Sequence, residues 1–252
     1  MTEALGGQAS ANASRGVRRR RTARRAIIAA LVLILLAVAA DRIAEVLTAR
    51  ALAGKVQKSQ SLTARPHVSI HGFPFLSQVI RGRYGRVDVS TAAPFSRGGV
   101  RVTSAHVRLY GVKVKASDAL HGSVRDVPVD HGTGEGLITY PDLSALVSRY
   151  TGALGITVTV SAAGPGRARL SGPFGLSLDV RAAVVGGRVR LTPDPAELQA
   201  LPAVLRSTVD QVVATPIALP PFPFGVTLTS SDLEPAGLVL HAVSHNSIFP
   251  VN

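Results

Sequence analysis

Cysteine and tryptophan are both missing from the 252 residues, and methionine occurs once. Without cysteine there are no disulfides, no thiolate metal sites and no cysteine nucleophile. With no tryptophan, seven phenylalanines and four tyrosines, there is little from which to build a stacking platform for nucleic-acid bases. Acidic residues are also scarce, 15 against 28 basic ones, for a net charge of +13. That surplus suggests nucleic acid until its distribution is considered. Seven arginines and one glutamate give residues 1–40 a charge of +6, and the other 212 positions carry +7. About half of the excess thus sits in a short leader. The rest is a mildly basic domain of the kind that works against an anionic lipid surface, and nucleic acid is not an expected partner.

Hydrophobic residues make up 46% of the chain and charged residues 17%, enough for a sizeable core. Three parts are expected. Residues 1–25 read as a disordered basic tail that ends in "RGVRRRRTARR". Residues 26–40, "AIIAALVLILLAVAA", are uncharged and follow those arginines directly. A basic flank before an apolar run marks a membrane-targeting segment and leaves the arginines in the cytoplasm. Two fates stay open for it. Fifteen residues suit a signal-peptide core, and Ala37-Val38-Ala39 supplies an A-x-A cleavage site. The chain then continues without Gly or Pro to Gly54, which suits an uncleaved anchor whose helix emerges through Ile43, Val46 and Leu47. Residues 41–252 form an extracytoplasmic domain in both cases, either held at the cell membrane by a single pass or secreted.

Alternation dominates from residue 66 onward. Val68 and Ile70, Val87 and Val89, Val100 and Val102, Val107 and Leu109, and Val112 and Val114 are period-two pairs, with a bend expected at Gly111. Further runs lie in "ITVTVS", "ARLSG", "LSLDVRAAVVGGRVRLT", "FGVTLTS" and "AGLVLHAVS", and Gly186-Gly187 reads as a two-residue hairpin turn. These are antiparallel strands with one buried face. Two helices are expected among them. One is "YPDLSALVSRYTG", with Pro141 in its first turn. The other is "TPDPAELQALPAVLRSTVDQVV", with Asp194 and Glu197 as a capping box and Pro202 as a kink or break. The fold class is therefore α+β, a mostly antiparallel sheet with a few helices against one side.

A search for reaction chemistry finds little. His67 and His71, and likewise His241 and His245, are four residues apart, which on a strand is about 13 Å and too far for one metal ion. No G-x-S-x-G, H-E-x-x-H or P-loop pattern occurs, and "HGTGEG" at 131–136 reads as a loop. No metal, cofactor or catalytic residue is expected. More suggestive is "HGFPFLSQVIRGRYGRVDV", where Phe73, Phe75 and Leu76 stand before Arg81, Arg83 and Arg86. An apolar corner beside arginines suits acyl chains and a phosphate, and it equally suits core phenylalanines beside a solvated loop.

The same stretch resembles the LmeA-like phospholipid-binding family of actinobacteria. The resemblance rests on Gly72, Phe73, Pro74, Phe75, Leu76, Gln78 and Gly82, followed by Val87 and Val89, with weaker matches at Thr139–Leu143 and in "GLVLHAVS". It covers about residues 41 to 249. It implies a non-enzymatic phospholipid-binding protein of the cell envelope, with a curved sheet wrapped around helices and an apolar groove, similar to the tubular lipid-binding proteins. The lipid would be of phosphatidylinositol type, and the role would be support of lipomannan-type lipoglycan assembly beside envelope glycosyltransferases. An envelope scaffold without its own lipid cavity is the alternative. On this reading Phe73, Phe75, Leu76, Arg81 and Arg83 are the expected lipid-binding residues.

Overall fold

The computed structural model describes residues 9–97, 99–120, 124–152, 155–203, 206, 209 and 226–250. Helix α1 spans Ala9–Ser59. Its apolar stretch is solvent-exposed from Ile27 to Leu36, and from Arg24 on it is long and apolar enough to cross a bilayer. That composition fits an anchor and a signal sequence alike. Residues 9–25, expected to be disordered, are helical. Alanine and arginine are strong helix formers, and the apolar segment behind them extends the same helix.

β1 (His67–His71), α2 (Phe75–Arg81), β2 (Arg83–Thr91), a small hairpin of β3 (Phe95–Arg97) and β4 (Val100–Val102), β5 (Ser104–Lys113), α3 (Ala116–Leu120), β6 (Asp126–Thr139) and α4 (Tyr140–Thr151) follow in order. Next come β7 (Thr159–Ala162), β8 (Ala168–Ser171), β9 (Ser177–Val185), β10 (Arg188–Pro193), α5 (Pro195–Ala200), β11 (Thr227–Glu234) and β12 (Gly237–Pro250). The main sheet has the order β1-β2-β5-β6-β12-β11, and a second has the order β10-β9-β8-β7. Every strand pair is antiparallel, and the main sheet is open, with β1 and β11 at its edges. The expected α+β class, its strands and the Gly186-Gly187 hairpin are all present.

The main sheet bends along a line that crosses four strands. In a regular strand, residues two apart share a face. Here buried Tyr84 and Val87 are three apart, as are Val129 and Gly132. Val112 pairs with Tyr84 and Leu109 with Val87, so β5 makes the same switch. In β12, Ser244 pairs with Gly132 and Ser247 with Val129. Gly111 and Asn246 take left-handed backbone angles at this line, φ +64° and +46°. A positive φ is open to glycine and tolerable for asparagine, and such kinks give a sheet curvature. The bend expected at Gly111 is one point on it.

The buried apolar residues form two cores. One joins the last turns of α1, through Leu52 and Ala53, to Ile70, Phe75, Tyr84 and Val129. Phe75 is 1% exposed and its ring lies 6.2 Å from that of Tyr84. The other buries Leu143, Leu146 and Val147 of α4 between the second sheet and β11–β12. α5 is shorter than expected and ends before Pro202; most of the expected helix beyond it lies outside the described residues. Asp194 caps α5 through the Ala196 N–H. Glu197 does not reach back to complete a box, because its Oε2 accepts the Asp179 N–H at 2.6 Å, tying α5 to β9.

Phe75→Ala removes the largest fully buried side chain. It is expected to cost about 3–5 kcal/mol, measured as a lower denaturation midpoint by circular dichroism.

A cavity with a glycine floor

The concave face of the main sheet and the C-terminal turns of α1 enclose a cavity of about 550 Å³, inside the range of about 300–1,000 Å³ typical of ligand sites. It follows β5 and the residue after it, from Ala105 to Val114, about 30 Å of extended chain. Thr48, Leu52 and Val56 of α1 line one wall. Val87 and Val89 of β2, Val107 and Leu109 of β5, and Leu240 and Ala242 of β12 line the sheet side.

Between β5 and β12 the lining contains Gly132, Gly134 and Gly136 of β6. Gly132 pairs with Leu109 and Ser244, Gly134 with Val107 and Ala242, and Gly136 with Ala105 and Leu240. Residues directly opposite in a sheet share a face, so all three glycines face the cavity. "HGTGEG", expected as a loop, is thus the middle of the longest strand pairing in the sheet. The loop expectation weighed glycine content alone, whereas the period of two between the glycines was the strand signal. A glycine inside a strand costs roughly 0.5–1 kcal/mol against alanine, and such positions often mark the close approach of a ligand. A Cβ on Gly134 would have its nearest contact 3.9 Å away, at Val107 Cγ2, and one on Gly136 would meet Val102 Cγ1 at 3.7 Å. The glycines at 134 and 136 therefore keep space empty. Gly132 differs, since its Cβ would lie 2.6 Å from Ser244 Oγ.

Polar side chains gather toward one end, with Lys55, Ser59 and Gln60 on α1 and Thr91 at the end of β2. Lys55 is exposed, and it is the one basic residue in the lining. At the other end of β2, burial raises the phenol of Tyr84. Sequence reasoning missed both the glycine floor and Lys55. Lysine's rarity in an arginine-rich chain was the only available hint of the second.

The five expected lipid-binding residues are placed together, outside the cavity lining. Phe75 is in the core beneath α1, while Phe73 and Leu76 are 58% and 43% exposed. Arg81 folds back on α2, donating to the Ser77 carbonyl and hydroxyl. Arg83 pairs with Asp130 at 2.6 Å, as does Lys113. The motif residues hold the corner's shape. Gln78 Oε1 accepts the Gly85 N–H, and a Cβ on Gly72 (φ +121°) would collide with the Gln78 amide. The Phe73–Pro74 peptide is cis. Pro74, at the N-cap of α2, has no side-chain hydrogen bond to offer. Asp41 of α1 takes over that role, its carboxylate accepting the N–H of Phe75 at 2.9 Å and of Leu76 at 2.7 Å. His71 pairs with Asp88, and His241 lies between Glu135 and Asp232. Among the described residues no three such side chains converge on a metal-sized site.

Two measurements follow. Gly134→Ile puts a β-branched side chain into the cavity at a strand position with room for its Cβ. Stability is expected to hold or rise by up to about 1 kcal/mol while occupancy by an acyl ligand falls. Asp130 is held below the usual carboxylate range, first by its hydrogen bond from Lys113 and then by the charges of Lys113 and Arg83, against desolvation. A depressed folded-state pKa stabilises above the unfolded value near roughly 4 and loses that effect as pH falls through the folded value. Asp130→Asn should therefore destabilise at pH 7, with the difference from wild type vanishing in acid-titrated melting curves.

The model of the LmeA-like phospholipid-binding family matches residues 39–243, a stretch that contains Asp41, the Phe73–Leu76 corner and the whole glycine floor. No curated protein and no solved structure matches the chain. The matched region covers most of the sequence, and the chain belongs to the LmeA-like phospholipid-binding family.

Proposed function

We propose that this is a membrane-anchored, non-enzymatic protein of the cell envelope that holds the acyl chains of one phospholipid in the cavity between the main sheet and α1. The glycine floor is the observation that carries this reading. A sheet that packs an ordinary core has no reason to leave two consecutive inward positions of its central strand without side chains. Acyl chains laid across Gly134 and Gly136 replace the missing contacts, at about 0.8 kcal/mol per buried methylene before the ordering costs of binding. A scaffold without a lipid site would be built on a filled core, and the cavity speaks against it.

Lys55 meets the phosphate at the polar end of the lining. It pairs with no carboxylate among the described residues, so its ammonium is free for an anion. α1 is retained as an anchor. Its arginines stay in the cytoplasm under the positive-inside rule, and the domain lies outside. The lipid is of phosphatidylinositol type and is presented to envelope glycosyltransferases for lipoglycan assembly. That finer reading comes from the family resemblance.

The test is native mass spectrometry of the full chain released from detergent. Wild type should retain about one phospholipid beyond the annular lipid, Gly134→Ile should lose it, and Lys55→Ala should bind anionic phospholipid about tenfold more weakly, as for one lost charge-assisted hydrogen bond. Equal lipid retention by wild type and Gly134→Ile would overturn the cavity as the site.

A further inference from the structure

The corner at residues 73–80 has an outward side that the cavity does not use. α2 buries Phe75 and Gln78, and Val79 packs on the core. Its opposite face presents Leu76 and Ile80 at helical spacing, with Phe73 just ahead of the helix. These are 43%, 84% and 58% exposed, and Ile80 is the most exposed large apolar residue among the described residues. Such a ridge has a covering partner or an apolar surface to enter.

Its position relative to α1 indicates which. The uncharged run 26–40 is about 22 Å long as helix, short of the roughly 30 Å of a hydrocarbon core. The outward face of the next two turns makes up the difference, since Ile43, Val46 and Leu47 are 61%, 45% and 58% exposed. Residues 41–47 therefore cross the outer edge of the hydrocarbon core into the interfacial zone. α2 is clipped to that same level through the two Asp41 hydrogen bonds. Arg42 lies 5.0 Å over the Phe73 ring, and Arg81 closes α2, so cations border the apolar ridge at headgroup height. An apolar face with basic residues around it is the composition of an interfacial membrane helix.

We propose that Phe73, Leu76 and Ile80 form a collar that enters the outer leaflet beside the exit of α1, seating the domain on the bilayer. The proposal rests on the anchor reading of α1 given above. It assigns the apolar corner to the lipid surface, while the cavity keeps a single lipid. The collar holds the sheet directly above the leaflet from which that lipid is drawn.

The absence of native tryptophan makes the test clean. Single variants Ile80→Trp, Leu76→Trp, Leu33→Trp and Val185→Trp of the full chain go into nanodiscs of phosphatidylcholine and phosphatidylglycerol brominated near the glycerol end of the acyl chains. Val185, exposed at the tip of the β9–β10 hairpin, reports a site away from the membrane, and Leu33 reports the span. The expected result is blue-shifted emission at positions 76 and 80, quenched several-fold more by brominated than by plain lipid, with position 185 unquenched. Water-like, unquenched emission at 76 and 80 overturns the collar when position 33 is quenched. A blue shift at 76 and 80 without lipid quenching also overturns it, because a protein then covers the ridge. If position 33 is unquenched as well, it is the anchor reading that has failed.

Discussion

One carboxylate joins the two halves of this protein. Asp41 sits one residue past the apolar run of α1 and is 3% exposed, yet it is not stranded. A buried charge is tolerable when it is hydrogen-bonded, and Asp41 accepts two backbone N–H groups from the first turn of α2. Those donors have no partner within their own helix, and Pro74 offers them none. The pairing thus serves both sides, and it sets where α1 crosses the domain. Thr48, Leu52 and Val56 follow two to four turns later on α1 as the wall of the cavity. In this way the Phe73–Leu76 corner works as the clasp between α1 and the main sheet.

The sheet is shaped for that wall by two uses of backbone freedom. Along the bend line, Gly111 and Asn246 accept left-handed angles, and the strands switch faces while keeping their hydrogen-bond partners. Valines and leucines three apart then point the same way, and the surface curves around α1. On the floor, glycine serves through its lack of a side chain. Gly134 and Gly136 leave open volume in the centre of the most extensively paired strand, a place where a core protein would put valine or isoleucine. The stability forgone, roughly 0.5–1 kcal/mol at each, is recoverable from an apolar occupant.

The outer face of the same sheet has the opposite character. His67, His71, His106, His131, His241 and His245 occupy it alongside Arg86 and Arg108, as the pairing of Tyr110 with His131 and of His106 with Glu135 requires. The histidine pairs that look like broken metal motifs in the sequence are the ordinary outcome of alternation, with aliphatic residues turned to the cavity and polar ones to water.

Local patterns were legible in the sequence because they are local physics. Period-two alternation identified most of the strands, Gly186-Gly187 the hairpin, the apolar run a helix long enough to cross a membrane, and "GFPFLSQ" the family. Periodicity made the α+β class readable. What depends on contacts between distant residues was not. The role of Asp41 needs Phe75 and Leu76, 34 and 35 residues away. Glu197 looked like part of a capping box until β9 supplied a better donor at Asp179. "HGTGEG" became the floor of a cavity only when β5 and β12 paired on either side of it. The chain by itself determined which segments extend and which coil. Tertiary structure decided which faces meet, and so where an apolar space was left open, because burial is a property of neighbours and a one-dimensional pattern does not name them.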